Sequence, residues 1–255
     1  MNKNEYVQLI DSMPQTNLDD AIVQAARVSY ANSGSSSKRS DEGLIRYLMR
    51  HNHTTPFEMV EFKFYLKMPL FLARQHFRHR TASVNEISAR YSVVNPEFFV
   101  PDQYRSQSTI NKQSSEEPID LDSKPQTDSC KGAFAVYNTL LSQGCSRELA
   151  RCHLPQSTYT EFIWKIDLHN LMHYLRLRMA PDAQKEIREY AVAIFNKVKD
   201  LVPLTMKAFM DFRVNSVTLT GPEVESLRTG VPLANASEQR EFEEKKKVLH
   251  LDKVV

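Results

Sequence analysis

The segment RHRTASVNEISARY, residues 78 to 91, gathers the side chains best suited to hold an anionic ligand. Arg78, Arg80 and Arg90 supply rigid, permanently charged forks that grip a phosphate at two points. His79, Ser83, Asn85, Glu86 and Ser88 interleave directional donors and acceptors with them. A solvent loop has little use for so many. Arg74 precedes the segment, and Arg151 and Arg178 follow it, each of the latter two at the end of an expected helix. Any one of these arginines alone is ordinary surface charge matched to a helix dipole. Their concentration argues for a pocket. The chain has only 6 glycines and carries neither the GxGxxG fingerprint nor a P-loop. If it binds a nucleotide, side chains must do much of the anion work.

Other chemistries fit less well. Cys130, Cys145 and Cys152 are odd in number and widely spaced, which argues against a disulfide framework and a zinc knuckle. They read as buried thiols, although Arg151 beside Cys152 is placed to lower a thiol pKa. His51 and His53 lack a third ligand nearby, so no metal is expected. No serine sits in a nucleophile elbow. A net charge of +2 excludes a broad polycationic surface. No basic stripe or known nucleic-acid motif is present, so no nucleic-acid partner is expected. No apolar run nears the roughly 20 residues that cross a bilayer, and the first residues lack the apolar core of a signal peptide. A soluble, cytoplasmic protein without a membrane partner is expected.

The elements that must position these residues follow from periodicity. Residues 5–10 form a short strand, and LDDAIVQAARVSY forms a helix with acidic residues in its first turn. ANSGSSSKRS is a polar loop, and DEGLIRYLMRH is a short helix. Val60, Phe62, Phe64 and Leu66 alternate with polar neighbours, the pattern of a half-buried strand. Pro69 opens a helix through PLFLARQHFRHR, whose apolar face is Leu70, Phe71, Ala73 and Phe77. On that helix Gln75, Arg78 and His79 share a face. Residues 95–130 read as an exposed loop. Helical sequence resumes at CKGAFAVYNTLLSQGCSRELA, and YTEFIWKIDLHNLMHYLRLRM reads as one long helix with a Trp164, Leu168, Leu171, Leu175 stripe. Pro181 opens another, carrying Ile187, Tyr190, Ala191, Ile194 and Val198. The charged EQREFEEKKK region reads as a surface helix or tail.

The polar segment also resembles the signature of the flavin-dependent thymidylate synthases, the ThyX family. That pattern is RHR, two variable residues, Ser, one variable, Asn-Glu, one variable, Ser, one variable, Arg-Tyr. Arg78, His79, Arg80, Ser83, Asn85, Glu86, Ser88, Arg90 and Tyr91 occupy every fixed position. HTTPFEMVEFKF, ELAR, YTEFIW and LRLRMAPDAQKEI extend the resemblance over most of residues 20–210. It implies an α+β fold with a central, largely antiparallel sheet flanked by helices. It places the catalytic domain at residues 1–225, with a variable loop at about 95–130 and a charged extension at 226–255.

The resemblance implies conversion of dUMP to dTMP, with FAD reduced by NADPH and methylenetetrahydrofolate as carbon donor. It implies a homotetramer whose sites are shared between subunits. Arg78, His79 and Arg80 would contact FAD, joined by His53 and Thr55 from the preceding turn. Glu86 would lie between flavin and nucleotide. Gln75, Arg78, Ser88, Arg90 and Arg151 would hold dUMP together with Glu86. Arg178 would lie against the uracil, favour ionisation at N3 and be the catalytic residue. Asp167 and His173 stand where another version of the family has asparagines that contact flavin, with His169 between them. An ionised aspartate accepts a hydrogen bond but donates none. The remaining alternatives are another flavin-dependent nucleotide-modifying enzyme and a non-catalytic nucleotide- or RNA-binding protein.

Overall fold

The computed structural model describes residues 5–28, 40–109 and 114–249. Six strands are described: β1 (Val7–Met13), β2 (Glu61–Pro69), β3 (Ser83–Glu86), β4 (Tyr104–Gln107), β5 (Ser115–Ile119) and β6 (Tyr159–Asp167). A four-stranded antiparallel sheet has the order β1-β2-β6-β3. β4 and β5 form a separate two-stranded antiparallel ribbon. The helices are α1 (Leu18–Val28), α2 (Asp41–Arg50), α3 (Thr55–Glu58), α4 (Leu70–His76), α5 (Lys124–Ser142), α6 (Arg147–Ala150), α7 (Leu168–Arg178), α8 (Lys185–Val198), α9 (Pro203–Phe209), α10 (Gly221–Thr229) and α11 (Ala236–Val248). The expected α+β class is what the fold shows.

Two central strands supply the sheet's share of a core that helices α1, α2, α7, α8 and α9 also fill. In β2, Phe62, Phe64, Leu66 and Met68 are fully buried, while Glu61, Lys63, Tyr65 and Lys67 turn to the other face. In β6, Thr160, Phe162, Trp164 and Ile166 are buried in the same alternation. The register sets Phe64 opposite Trp164 and Leu66 opposite Phe162, so large side chains meet across strands, where such pairs stabilise a sheet.

Residues 159–179 are therefore not one helix. They run as a strand to Asp167 and as α7 from Leu168. The leucine stripe belongs only to α7. Trp164 lies four residues before Leu168 and extends a helical spacing backwards by coincidence, while its real neighbours alternate with period two. Asp167 ends the strand and caps the helix, accepting from Asn170 N at 2.9 Å and Asn170 Nδ2 at 2.7 Å.

Three further expectations change. Pro69 is the last residue of β2 and the N-cap of α4, and the helix stops at His76. Arg78 and His79 thus lie in the following turn, off the helix face they were expected to share with Gln75. The buried face of α4 is Leu72, Ala73 and His76. His76 is enclosed because Trp164, Tyr174 and Phe162 pack around its ring at 4.3, 4.9 and 5.3 Å. The segment 95–130 contains the β4–β5 ribbon and the start of α5. Every residue of β5 is exposed, so no buried face imprints an apolar alternation on its sequence. Finally, α8 begins at Lys185, and Pro181 belongs to the turn before it.

A small satellite core of Phe134, Tyr137 and Ala150 packs with Val94 and Phe98. Tyr137 Oη accepts from Val94 N at 3.0 Å, which fastens the chain just beyond the polar segment. The chain divides into two compact units, Met1–Phe209 and Met210–Val255. In the second, Thr220 and Glu223 form a capping box on α10, and Lys245 of α11 pairs with Glu223 at 2.8 Å. Of the loop expected at 31–40, residues 31–39 lie outside the described residues, and Ser40 caps α2. No helix among the described residues is long and apolar enough to cross a membrane.

Candidate functional site

Arg178 ends α7, where its Nε donates to His79 Nε2 at 3.0 Å and its Nη2 donates to the Gln75 carbonyl oxygen at 3.4 Å. To accept at Nε2, His79 must be neutral with its proton on Nδ1. Its surroundings agree. Burial, then the charge of Arg178, then His173 push its pKa down to about 4. The guanidinium is therefore held by neutral acceptors, and its charge stays uncancelled. The His79 ring lies 4.8 Å from that of Tyr174 and 5.9 Å from that of His173.

Behind this pair stands His76, with no solvent exposure. Burial first, then His79 and Arg178, lower its pKa to about 3. Its Nδ1 meets Tyr174 Oη at 3.2 Å, and its Nε2 has no partner. An unsatisfied buried group of this kind costs about 1–3 kcal/mol. The Gln75 side chain points the other way, donating from Nε2 to Gln184 Oε1 at 2.6 Å. Gln184 Nε2 donates to Glu186 Oε2 at 2.9 Å, and Glu186 pairs with Arg105 at 3.0 Å.

A cavity of about 500 Å³ holds a second group, including Glu86, Arg151, Arg74, Lys67, Glu97 and Glu161. Glu86 ends β3 opposite Phe162, and its Oε1 accepts from Thr160 Oγ1 at 2.6 Å. Arg151 and Cys152 enter from the single 3₁₀ turn after α6. Lys67 bridges Glu97 at 2.6 Å and Glu161 at 3.7 Å. Burial opposes its charge, but those two carboxylates outweigh burial and raise its pKa. Arg74 has no ion-pair or hydrogen-bond partner among the described residues. Cys152 is exposed, Cys145 half-buried and Cys130 buried, so the three thiols do not share one environment.

The other expected residues lie around these two groups. Ser88 Oγ accepts from Arg90 N at 3.3 Å, and Arg90 reaches Glu148 at 3.7 Å with both side chains more than half exposed. Such an exposed pair contributes little to stability and leaves the arginine available. Arg78 and Arg80 are exposed, and neither has a carboxylate partner among the described residues. His53 ends the turn before α3, edge-on to Tyr47 at 5.7 Å, and Thr55 opens α3. His169 and His173 lie one turn apart on α7 and share a face. Sequence reasoning did not single out Gln184, Glu186, Arg105, Thr160 or Lys67. Apart from the Gln184–Glu186 bond, two residues apart, and Arg105–Ser115, ten apart, their side-chain bonds span 30 to 109 residues, so no local spacing marks them.

Unpaired arginines, one of them held by neutral groups, beside a charged cavity on an antiparallel α+β frame define a protein built to hold anionic ligands. Residues 8–204 match the family described as Thymidylate synthase complementing protein. A flavin-dependent thymidylate synthase of Dictyostelium discoideum is 51% identical over 95% of this chain and 84% of its own length. One from Thermus thermophilus is 52% identical over 88% and 82%. The solved structure of PolB, a UMP/dUMP methylase from Streptomyces cacaoi bound with 5-Br dUMP, aligns with a TM-score of 0.73. It shares 36% identity and covers 82% of this chain and 95% of that one. This chain belongs to the family of flavin-dependent thymidylate synthases.

Proposed function

We propose that the protein methylates dUMP to dTMP, using FAD reduced by NADPH and taking the carbon from methylenetetrahydrofolate. The observation that carries the catalytic assignment is the setting of Arg178. Its charge is fixed by His79 Nε2 and the Gln75 carbonyl, both neutral. A cation so placed stabilises negative charge developing on a uracil ring without losing that effect to a carboxylate neighbour. Arg178 thus favours ionisation at N3 and makes C5 nucleophilic toward the carbon donor. Gln75, Arg78, Glu86, Ser88, Arg90 and Arg151 orient the nucleotide, with Arg90 and Arg151 suited to its phosphate.

The residues present fit FAD. Arg78 and Arg80 are unpaired guanidiniums that suit a diphosphate. His79, with His53, Thr55, Glu86, His169 and His173, would complete the binding surface. Asp167 would act mainly by setting the start of α7, since Asn170 already engages its oxygens. When bound, the flavin supplies the hydride that completes the methyl group. The expected residues fall into separate groups on one chain, and several are exposed. That supports sites completed by neighbouring subunits, as in the homotetramer proposed from the family resemblance; the cytoplasm is the proposed location.

The test is a reaction of purified protein with dUMP, methylenetetrahydrofolate, NADPH and FAD, followed by chromatography and mass spectrometry. dTMP should form and should require the full mixture. Folded, flavin-loaded protein that makes no dTMP overturns the proposal.

A further inference from the structure

Gln75 is assigned above to the nucleotide, and an amide can offer a ligand either a donor or an acceptor. What it offers depends on what holds its other atoms. Gln75 Nε2 donates to Gln184 Oε1 at 2.6 Å, and Gln184 Nε2 donates to Glu186 Oε2 at 2.9 Å. Glu186 Oε1 accepts from Arg105 Nη2 at 3.0 Å, with the two side chains only 14% and 16% exposed. An ionised carboxylate can only accept. Glu186 therefore forces the Gln184 amide to turn its NH₂ toward it. The Gln184 carbonyl then faces Gln75, and only the Gln75 NH₂ satisfies it. Turning either amide over would set two donors or two acceptors face to face.

We infer that Glu186, buttressed by Arg105 and acting through Gln184, is a positioning residue that fixes Gln75 with its side-chain carbonyl free, so that the site selects a hydrogen-bond donor of the nucleotide. The inference rests on the dUMP reading. dUMP has two such donors, the 3′-hydroxyl and N3–H. The relay begins on β4 of the outlying ribbon and ends at the residue whose backbone carbonyl also holds Arg178. A polar ribbon without a core of its own thereby sets the polarity of a substrate contact.

Calorimetry reads the dUMP Kd, and steady-state kinetics on the flavin-loaded enzyme read KM and kcat. Glu186→Gln lets the Gln184 amide turn either way. It should raise Kd and KM about tenfold, the scale of one misplaced hydrogen bond. kcat should change by less than about threefold, as for lost ground-state binding. The exchanged double variant Gln184→Glu/Glu186→Gln rebuilds the polarity: the new amide at 186 donates to the new carboxylate at 184, which accepts from Gln75. Its KM should return to within about threefold of the starting value. A packing role alone would not produce that rescue.

An unchanged KM in folded Glu186→Gln, or no rescue by the exchange, overturns the inference. If Glu186→Gln does not fold, Gln184→Met removes the relay but keeps the ion pair. It should show the same loss, and a normal KM there overturns the inference equally. The 3′-deoxy and N3-methyl analogues of dUMP separate the two donors. The one lacking the selected donor should bind the wild-type protein and Glu186→Gln alike, and if neither does, the inference fails. Failure of the wild-type protein to make dTMP would instead count against the dUMP reading, and is seen separately.

Discussion

Around Arg178 the partners are neutral, His79 Nε2 at 3.0 Å and the Gln75 carbonyl at 3.4 Å, whereas Lys67 in the cavity faces Glu97 at 2.6 Å and Glu161 at 3.7 Å. The same kind of charge is handled in two ways. Lys67 is locally neutralised, and its role is to hold the cavity wall together. Arg178 is geometrically restrained yet electrically free. A cation meant to act on a ligand must be held by groups that do not cancel it, and depressing a histidine pKa by burial achieves that.

The comparison breaks first at Arg178. Arg178→Ala should lower dTMP formation about a thousandfold with the fold retained, the scale of losing one preorganised electrostatic contact. Arg178→Lys should recover only part of it, because an ammonium cannot replace the fork. Turnover assays with circular dichroism as the folding control decide both. In the cavity, Arg151→Ala should weaken dUMP binding about tenfold or more, as expected for one charged hydrogen bond, and calorimetry would measure it. A Kd unchanged by this substitution would remove Arg151 from the nucleotide site.

The neutral cluster also has a pH signature. His79 and His76 titrate in the fold at about 4 and about 3, against an ordinary value of 6.5. Between 6.5 and those values the unfolded chain binds more protons, so stability falls as pH falls. Above 6.5 both forms are neutral and the contribution is constant. Melting temperature should therefore drop as pH is lowered from 6.5, with unfolding free energy falling by at most about 1.4 kcal/mol per pH unit for each histidine. His76→Asn should make the fall shallower. The smallest effect is expected for Lys67→Met, which removes a partly exposed pair. A loss of about 1 kcal/mol or less in a denaturant titration, with KM for dUMP nearly unchanged, would mark it as structural. A large KM change would place Lys67 among the ligand contacts instead.

Much of the local structure was legible because burial leaves periodic marks. β2 alternates Phe62, Phe64 and Leu66 with polar residues, and α8 repeats Ile187, Tyr190, Ala191 and Ile194 at helical spacing. β6 was misread since Trp164 happens to precede Leu168 by one helical turn. The ribbon was missed because β5 is exposed along its whole length and β4 has no fully buried residue, so neither carries an apolar period. α4 looked longer than it is, and its most enclosed polar residue, His76, is surrounded by rings from β6 and α7 that no local pattern links to it.

The sequence alone determined the chemical inventory: a dense set of arginines with interleaved donors, no glycine cradle, and a long gapped motif from Arg78 to Tyr91. Side-chain type and spacing carry that information directly. Only the tertiary structure decided which charges are free and which way an amide faces. Arg178 lies 99 residues from His79, and Gln75 lies 109 from Gln184. Hydrogen-bond polarity and desolvation depend on which groups meet in space, and packing brings these together across separations where the chain itself imposes no register.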